Sequence, residues 1–400
     1  MAQVTIGMIF GMRILAVSSY GDAERGVDAL VPFQLGRRFV KRGHSVDLLL
    51  PQPARGGSWP HERDGVRILS SAALGIPRLY LASYIASGVP RIVSLARRWK
   101  YHVIHCFCSV PAFMSVTARR TSGLEALIDF YHWEPWETLQ IYLSKWKPGD
   151  VRAMLSRYML SETARSSDIV VASSRELARQ LTSLGARNVE VVPYAVDVGQ
   201  FTVSAAGEQV KEEFDLREPV VLFSGKLHSV ARVDKVIRAF SHMLLRVPSA
   251  TLLIVGDGSQ RAELESMSCR LGIEDSVVFA GLRRHEEIPG FIASCDLAAA
   301  PMELGYYVET GVLPVKMLEY MAGGKPVVTQ EGFERLGQGE GVVAVDFDRP
   351  DEAGDLMADL SLDKERLRVL GDRARIAVER HYSYDAVAER YLRIYEERMG

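Results

Sequence analysis

Short β-branched and apolar runs alternate with segments of helical period along almost the whole 400-residue chain, and no other feature restricts its fold as strongly. Strands separated by helices return parallel to one another, and a parallel sheet needs helices on both faces. The pattern predicts strands at 13–18, 46–50, 66–69, 103–105, 126–130, 169–172 and 189–192 in the first half. In the second half it predicts 220–224, 252–255, 277–279, 296–299 and 327–329, with mostly helical sequence from Pro350 onward. Residues 27–42 set Val27, Leu30, Val31, Leu35 and Phe39 on one stripe and stop at Gly43, as a helix covering the first strand would. The fold class read from this is α/β, with two doubly wound Rossmann-like domains facing across a cleft.

Residues 198–218 lose the apolar period, which places an inter-domain connection there and a boundary near 200. The expected organisation is an extension over 1–11, a first domain over 12–200, a second over 201–380, and a C-terminal helix over 381–400 packing back toward the first domain. Ligands of open α/β sheets bind at the carboxyl ends of the strands, so the function belongs in the cleft.

Composition excludes several alternatives. With 48 Lys+Arg against 50 Asp+Glu the formal charge is −2, which leaves no dominant nucleic-acid stripe. Cys106, Cys108, Cys269 and Cys295 form neither a disulfide framework nor the paired spacing of a zinc site, and the nine histidines contain no HExxH pair. No apolar run approaches the roughly 18 residues that span a bilayer, and the first residues lack a basic n-region, so a cytoplasmic protein is expected.

The most informative stretch is TGVLPVKMLEYMAGGKPVV, residues 310–328. Pro314 suits a helix start and Gly323–Gly324 a helix end, so 315–322 reads as a short helix with Lys316 in its first turn and Glu319 one turn on. A cation at that terminus opposes the helix dipole unless an anion fills the site. A solvated Lys–Glu pair is the competing reading. In VVLFSGKLHSVARVDKVIRAF, residues 220–240, a buried strand ends at Gly225 with Lys226 next and Arg232 six residues later. Two cations flanking a glycine turn suit a diphosphate, and a charged loop at a sheet edge is the alternative. The turn LIVGDGSQRAEL is not the dinucleotide fingerprint, since Arg261 stands where GxGxxG needs its last glycine.

Taken in order, SGKL at 224–227, IRAF at 237–240, LLIVGDGSQRAEL at 252–264, VVFAGL at 277–282, EEIPGFIASCDLAAAP at 286–301 and PVKMLEYMAGGKPVV at 314–328 resemble the nucleotide-binding domain of family 4 retaining glycosyltransferases of the GT-B fold, the glycosyl transferases group 1 class. The first half is similar more loosely, through MRILAVSS at 12–19, LGRRFVKRGHSVDLLLP at 35–51, ARSSDIVVASSREL at 164–177 and VEVVPYAVD at 189–197. The resemblance implies a hexosyl transfer enzyme that needs no cofactor and no metal. Its donor would be a nucleotide sugar, UDP- or GDP-linked, and its acceptor a carbohydrate, a lipid-linked glycan or a small molecule. It implies that Glu319 accepts the ribose hydroxyls and that Gly311, Val312 and Leu313 turn backbone N–H groups toward diphosphate and sugar. Lys226 matches a diphosphate contact, Gly26 a glycine close to the donor phosphates, and His132 a histidine near the reacting sugar. Lys316 and Lys226, with Arg232, would then stabilise the departing diphosphate.

The sequence departs from the family pattern at Gly311, where the first motif glutamate would stand, at Ala231 in place of a lysine, and at Tyr194–Ala195 in the NGVD signature. These departures motivate two other readings, a catalytically silent relative acting as a binding partner and a sugar-nucleotide epimerase on the same plan. Asp129 competes with His132 for a polar role at its strand end, and the aromatics of 131–146 suit an acceptor loop or core packing. Asp346-Phe347-Asp348 spells DxD but reads as a turn and helix cap. Arg91, Arg97, Arg98 and Lys100 in 78–101 suit peripheral contact with an anionic membrane, against the alternative of a solvated helix.

Overall fold

The computed structural model describes residues 11–19, 31–53, 58–74, 77–132, 151–201, 206–302, 311–333 and 340–400, with backbone only at 77–79, 81, 132 and 151–153. The chain divides into two compact units, Met1–Pro193 with Val387–Gly400, and Tyr194–Ala386.

The first unit holds an eight-stranded sheet built from β1 (Arg13–Ser18), β2 (Ser45–Pro51), β3 (Glu62–Arg63), β4 (Val66–Ser71), β5 (Val103–Phe107), β6 (Leu127–His132), β7 (Ile169–Ala172) and β8 (Val189–Val191). Its spatial order is β3-β4-β2-β1-β5-β6-β7-β8. Every pairing is parallel except the short β3–β4 hairpin. β5 and β7 are buried at every residue, because helices cover both faces. The first of them, Val31–Lys41, buries Phe33, Leu35 and Phe39; positions 27–30 of the expected helix lie outside the described residues.

The second unit holds β9 (Val220–Ser224), β10 (Thr251–Val255), β11 (Val277–Gly281), β12 (Leu297–Ala300), β13 (Val327–Gln330) and β14 (Val342–Val345) in the order β11-β10-β9-β12-β13-β14, all parallel. The winding reverses between β9 and β12, and there the carboxyl ends of an open sheet leave a crevice.

Residues 198–218 are not a bare connection. Val196, Val198 and Phe201 are buried in the apolar core of the second unit. Val196 also donates to Tyr382 O at 2.8 Å. The helix Ala206–Glu213 buries only Gly207 and Val210, too few apolar positions to register as a period. It fits because a Cβ at Gly207 would already stand 3.0 Å from Ala293. The two compact units meet at 193/194, a few residues before position 200. The C-terminal stretch is two helices, Lys364–His381 and Tyr384–Met399, and the second delivers the buried Tyr391 and Tyr395 to the first unit.

Candidate active site

The crevice of the second unit is built from two segments some ninety residues apart in the chain. β9 ends at Ser224 and passes into Gly225, whose φ of 138° suits glycine. The helix Val315–Ala322 follows Pro314, which stands just before its first residue. In that helix Leu318, Tyr320 and Met321 are buried in the core of the unit. Their packing leaves Lys316 toward the end of β9, with Glu319 one turn further along the helix.

Lys316 Nζ lies 4.4 Å from the centroid of the Phe223 ring. A Cβ on Gly225 would overlap that ammonium. The glycine is therefore required by a side chain of this protein, as well as leaving backbone open to a ligand. No described residue hydrogen-bonds the Lys316 ammonium. Burial pushes it down to about 8, although Glu319 works in the opposite direction. Burial likewise pushes Glu319 up to about 7, with Lys316 opposing. Its carboxylate, 13% exposed, has His285 Nδ1 at 3.9 Å from Oε1.

Tyr320, between Glu319 and the core, accepts a hydrogen bond from Ser224 N at 2.7 Å and donates to Ser224 O at 3.2 Å. The VGDG turn lies against the same place: a Cβ on Gly256 would overlap Gly225 O, and one on Gly258 would overlap Leu227 O. Its glycines serve backbone-on-backbone packing, sealed by Gly225 N to Val255 O and Leu227 N to Asp257 O at 2.8 and 3.0 Å.

Lys226 is exposed immediately after Gly225. Gly311 has φ 62°, and the side chains of Val312 and Leu313 are buried. Among the described residues the N–H groups of 311–313 make no hydrogen bond. Arg232 caps the helix Val233–Arg246 from a left-handed conformation and sets its Nε 3.3 Å from Asp234 Oδ1. Its guanidinium is thus engaged locally, and Ala231 is buried. His132 ends β6 in the first unit, with its side chain outside the described residues, as is all of Gly26. Asp129 is fully buried and holds His105 Nδ1 at 2.5 Å and Tyr395 OH at 2.6 Å, a structural role that removes it as a cleft group. The DxD carboxylates are occupied: Asp348 pairs with Lys235 at 2.8 Å, and Asp346 Oδ1 accepts from Asp348 N and from Gln330 Nε2 at 3.0 Å.

Reading the sequence missed Tyr320, Phe223 and His285. The first stands beside Glu319 yet reads as a core aromatic, and the other two acquire a meaning only through contacts across the fold.

Two family models divide the chain between them: Glycosyltransferase Family 4 matches residues 31–200, and Glycosyl transferases group 1 matches 206–377. The chain is a family 4 glycosyltransferase of the GT-B fold. It is 27% identical over 242 residues to the GDP-mannose-dependent alpha-(1-6)-phosphatidylinositol monomannoside mannosyltransferase of Mycobacterium tuberculosis, across 58% of this chain and 63% of that protein. It is also 27% identical to the alpha-D-kanosaminyltransferase of Streptomyces kanamyceticus, across 56% of this chain and 58% of that one. The glycosyltransferase thus spans less than two thirds of the length of these relatives. Among solved structures, sucrose-phosphate synthase from Thermosynechococcus elongatus superposes with a TM-score of 0.71 at 18% identity, over 96% of this chain and 98% of that one. Anabaena HepE in complex with UDP gives 0.69 at 17%, over 96% and 100%. At such identities the likeness concerns the fold.

Proposed function

We propose that this glycosyltransferase moves a hexosyl group from a nucleotide sugar, UDP- or GDP-linked, to a carbohydrate, lipid-linked or small-molecule acceptor, with retention at the anomeric carbon and without a metal. The observation that carries the reading is the desolvated Lys316 ammonium, hydrogen-bonded to no described residue, at the crevice where the sheet reverses. Burial opposes the charge on this ammonium and Glu319 offsets it only in part, so a diphosphate supplies the anion that completes the compensation. Glu319, one turn away, is placed to accept the paired hydroxyls of a ribose. The N–H groups of 311–313, bonded to no described residue, add donors that cost no reorganisation when charge develops on the leaving group. Lys226 would join Lys316 on the departing diphosphate, while Arg232 would contribute only by exchanging Asp234 for it, and the loss of a half-exposed ion pair costs little. By the family resemblance, His132 would act near the sugar and Gly26 near the phosphates. GDP-mannose dependence in the mycobacterial relative and the UDP complex of HepE support a nucleotide-sugar donor of either base.

A thermal-shift panel of UDP, GDP, ADP and their sugar conjugates tests the reading. A ligand at 100 times its dissociation constant stabilises by about 2.7 kcal/mol. Product analysis with the stabilising donor then reads the anomeric configuration. No shift with any member would favour a silent relative, and an EDTA-sensitive reaction would remove the metal-independent mechanism.

A further inference from the structure

In a parallel sheet the N–H and C=O of one residue face the same neighbouring strand, and the next residue faces the other. In β9, Gly225 N bonds Val255 O on the β10 side, while Val220 O accepts from Asp296 N on the side of β12. Ser224 therefore turns both its backbone groups toward β12. There the ladder has already ended, because β12 pairs with β9 only at Leu297↔Val221 and Ala298↔Leu222. Two backbone groups at the mouth of the crevice are left without a strand partner in a dry interior, which is costly unless something else satisfies them. The Tyr320 hydroxyl does so, accepting from Ser224 N at 2.7 Å and donating to Ser224 O at 3.2 Å, with Ser224 Oγ 3.1 Å away. One phenol has the single proton and the acceptor capacity this requires.

We infer that Tyr320 is a positioning residue of the donor site: its hydroxyl takes the place of a strand where β9 and β12 part, and so fixes the Ser224–Gly225–Lys226 turn against the helix bearing Lys316 and Glu319. The inference rests on the nucleotide-sugar reading above. Among the described residues, the bonds from Tyr320 to Ser224 are the only hydrogen bonds joining this turn to that helix. The two cations on either side of the crevice, one on each segment, are thus held in register through a single hydroxyl. Its loss would let the turn shift relative to Lys316, and the diphosphate needs both. The nucleoside needs neither.

The test compares the wild type, Tyr320→Phe and Ser224→Ala, titrated with UDP, GDP and ADP by calorimetry and with the matching nucleosides by ligand-observed NMR. Tyr320→Phe is expected to weaken diphosphate binding about tenfold, the scale of one buried hydrogen bond, and to leave nucleoside affinity within twofold. Ser224→Ala keeps the backbone groups and is expected to lose less diphosphate affinity than Tyr320→Phe, and an equal or larger loss would overturn the inference. Equal diphosphate affinity in Tyr320→Phe would overturn the inference. So would a parallel loss of nucleoside and diphosphate, which marks general destabilisation. If Tyr320→Phe does not fold, a fluorotyrosine at 320, whose hydroxyl accepts more weakly, is expected to shift diphosphate affinity alone, and no shift would overturn it. A wild type that binds no nucleotide would instead overturn the functional reading, and the inference with it.

Discussion

Replacing Lys316 by methionine keeps an unbranched side chain, one atom shorter, and removes the charge, and the desolvation of the ammonium gives the substitution two effects of opposite sign. An ammonium pushed from its ordinary 10.5 down to about 8 is held charged at neutral pH at a cost. At about 1.4 kcal/mol per factor of ten, that cost is about 3 kcal/mol. Methionine relieves it, although Glu319 loses its compensating neighbour, so the free protein should gain about 1–3 kcal/mol. In a unit of this size the gain corresponds to a Tm rise of at least about 2 °C. The bound protein should lose instead. One charge-assisted contact to a diphosphate is worth about 1.5–3 kcal/mol, so affinity falls roughly 10- to 100-fold. With a 30-fold loss, a nucleotide concentration that stabilised the wild type by about 2.7 kcal/mol stabilises the variant by only about 0.9 kcal/mol. The pH dependence supplies an internal check. The folded value lies below the unfolded one, so the folded site gives up its proton first and wild-type stability climbs from about pH 8 upward. Lys316→Met should flatten that climb. Scanning calorimetry with and without nucleotide reads all three effects. A lower Tm in the free variant, with the nucleotide-induced shift intact, would show that Lys316 is structural and refute the argument.

Catalysis should show a bell-shaped kcat/KM against pH with limbs near 7 and 8, since Glu319 must be ionised and Lys316 protonated. Glu319→Gln should remove the acid limb and Lys316→Arg the alkaline one, while His285→Gln, at the exposed neighbour of Glu319, should leave the acid limb in place. Glu319→Ala should weaken nucleotide binding by about 1.5–3 kcal/mol without unfolding the protein, as titration calorimetry beside a thermal melt will show. In the first unit, Tyr395→Phe leaves Asp129 and His105 short of a buried partner and should cost about 1–3 kcal/mol in urea unfolding. Arg91, Arg97, Arg98 and Lys100 are exposed on and just beyond the helix Pro77–Trp99, so liposome flotation should detect weak binding to anionic vesicles that disappears with salt. No binding at low salt would reduce this face to a solvated helix.

What the sequence determined by itself is local. Short β-branched and apolar runs placed β1, β7 and β9, and Pro314 with Gly323–Gly324 placed the helix Val315–Ala322, at their observed limits. Lys316 and Glu319 share one short helix, so their spacing needed no knowledge of the fold. Order along the chain also exposed the family, because the motifs are contiguous words. The weak helix Ala206–Glu213 escaped, since two buried residues make no period. The rest depends on which distant segments meet. The strand order brings Gly225 under Lys316, and only that encounter explains why position 225 is glycine and why the lysine is desolvated. Tyr320 reads as core until β9 and β12 diverge and leave Ser224 in need of a partner. Asp129, a polar residue within β6, is claimed by Tyr395 from the far end of the chain, and Arg232 is turned onto Asp234 by a left-handed backbone that no composition reveals. Backbone preference and hydrophobic period act over a few residues and can be read in order. Burial, and the charge shifts and hydrogen-bond obligations it imposes, arise only where segments far apart in the chain exclude water together.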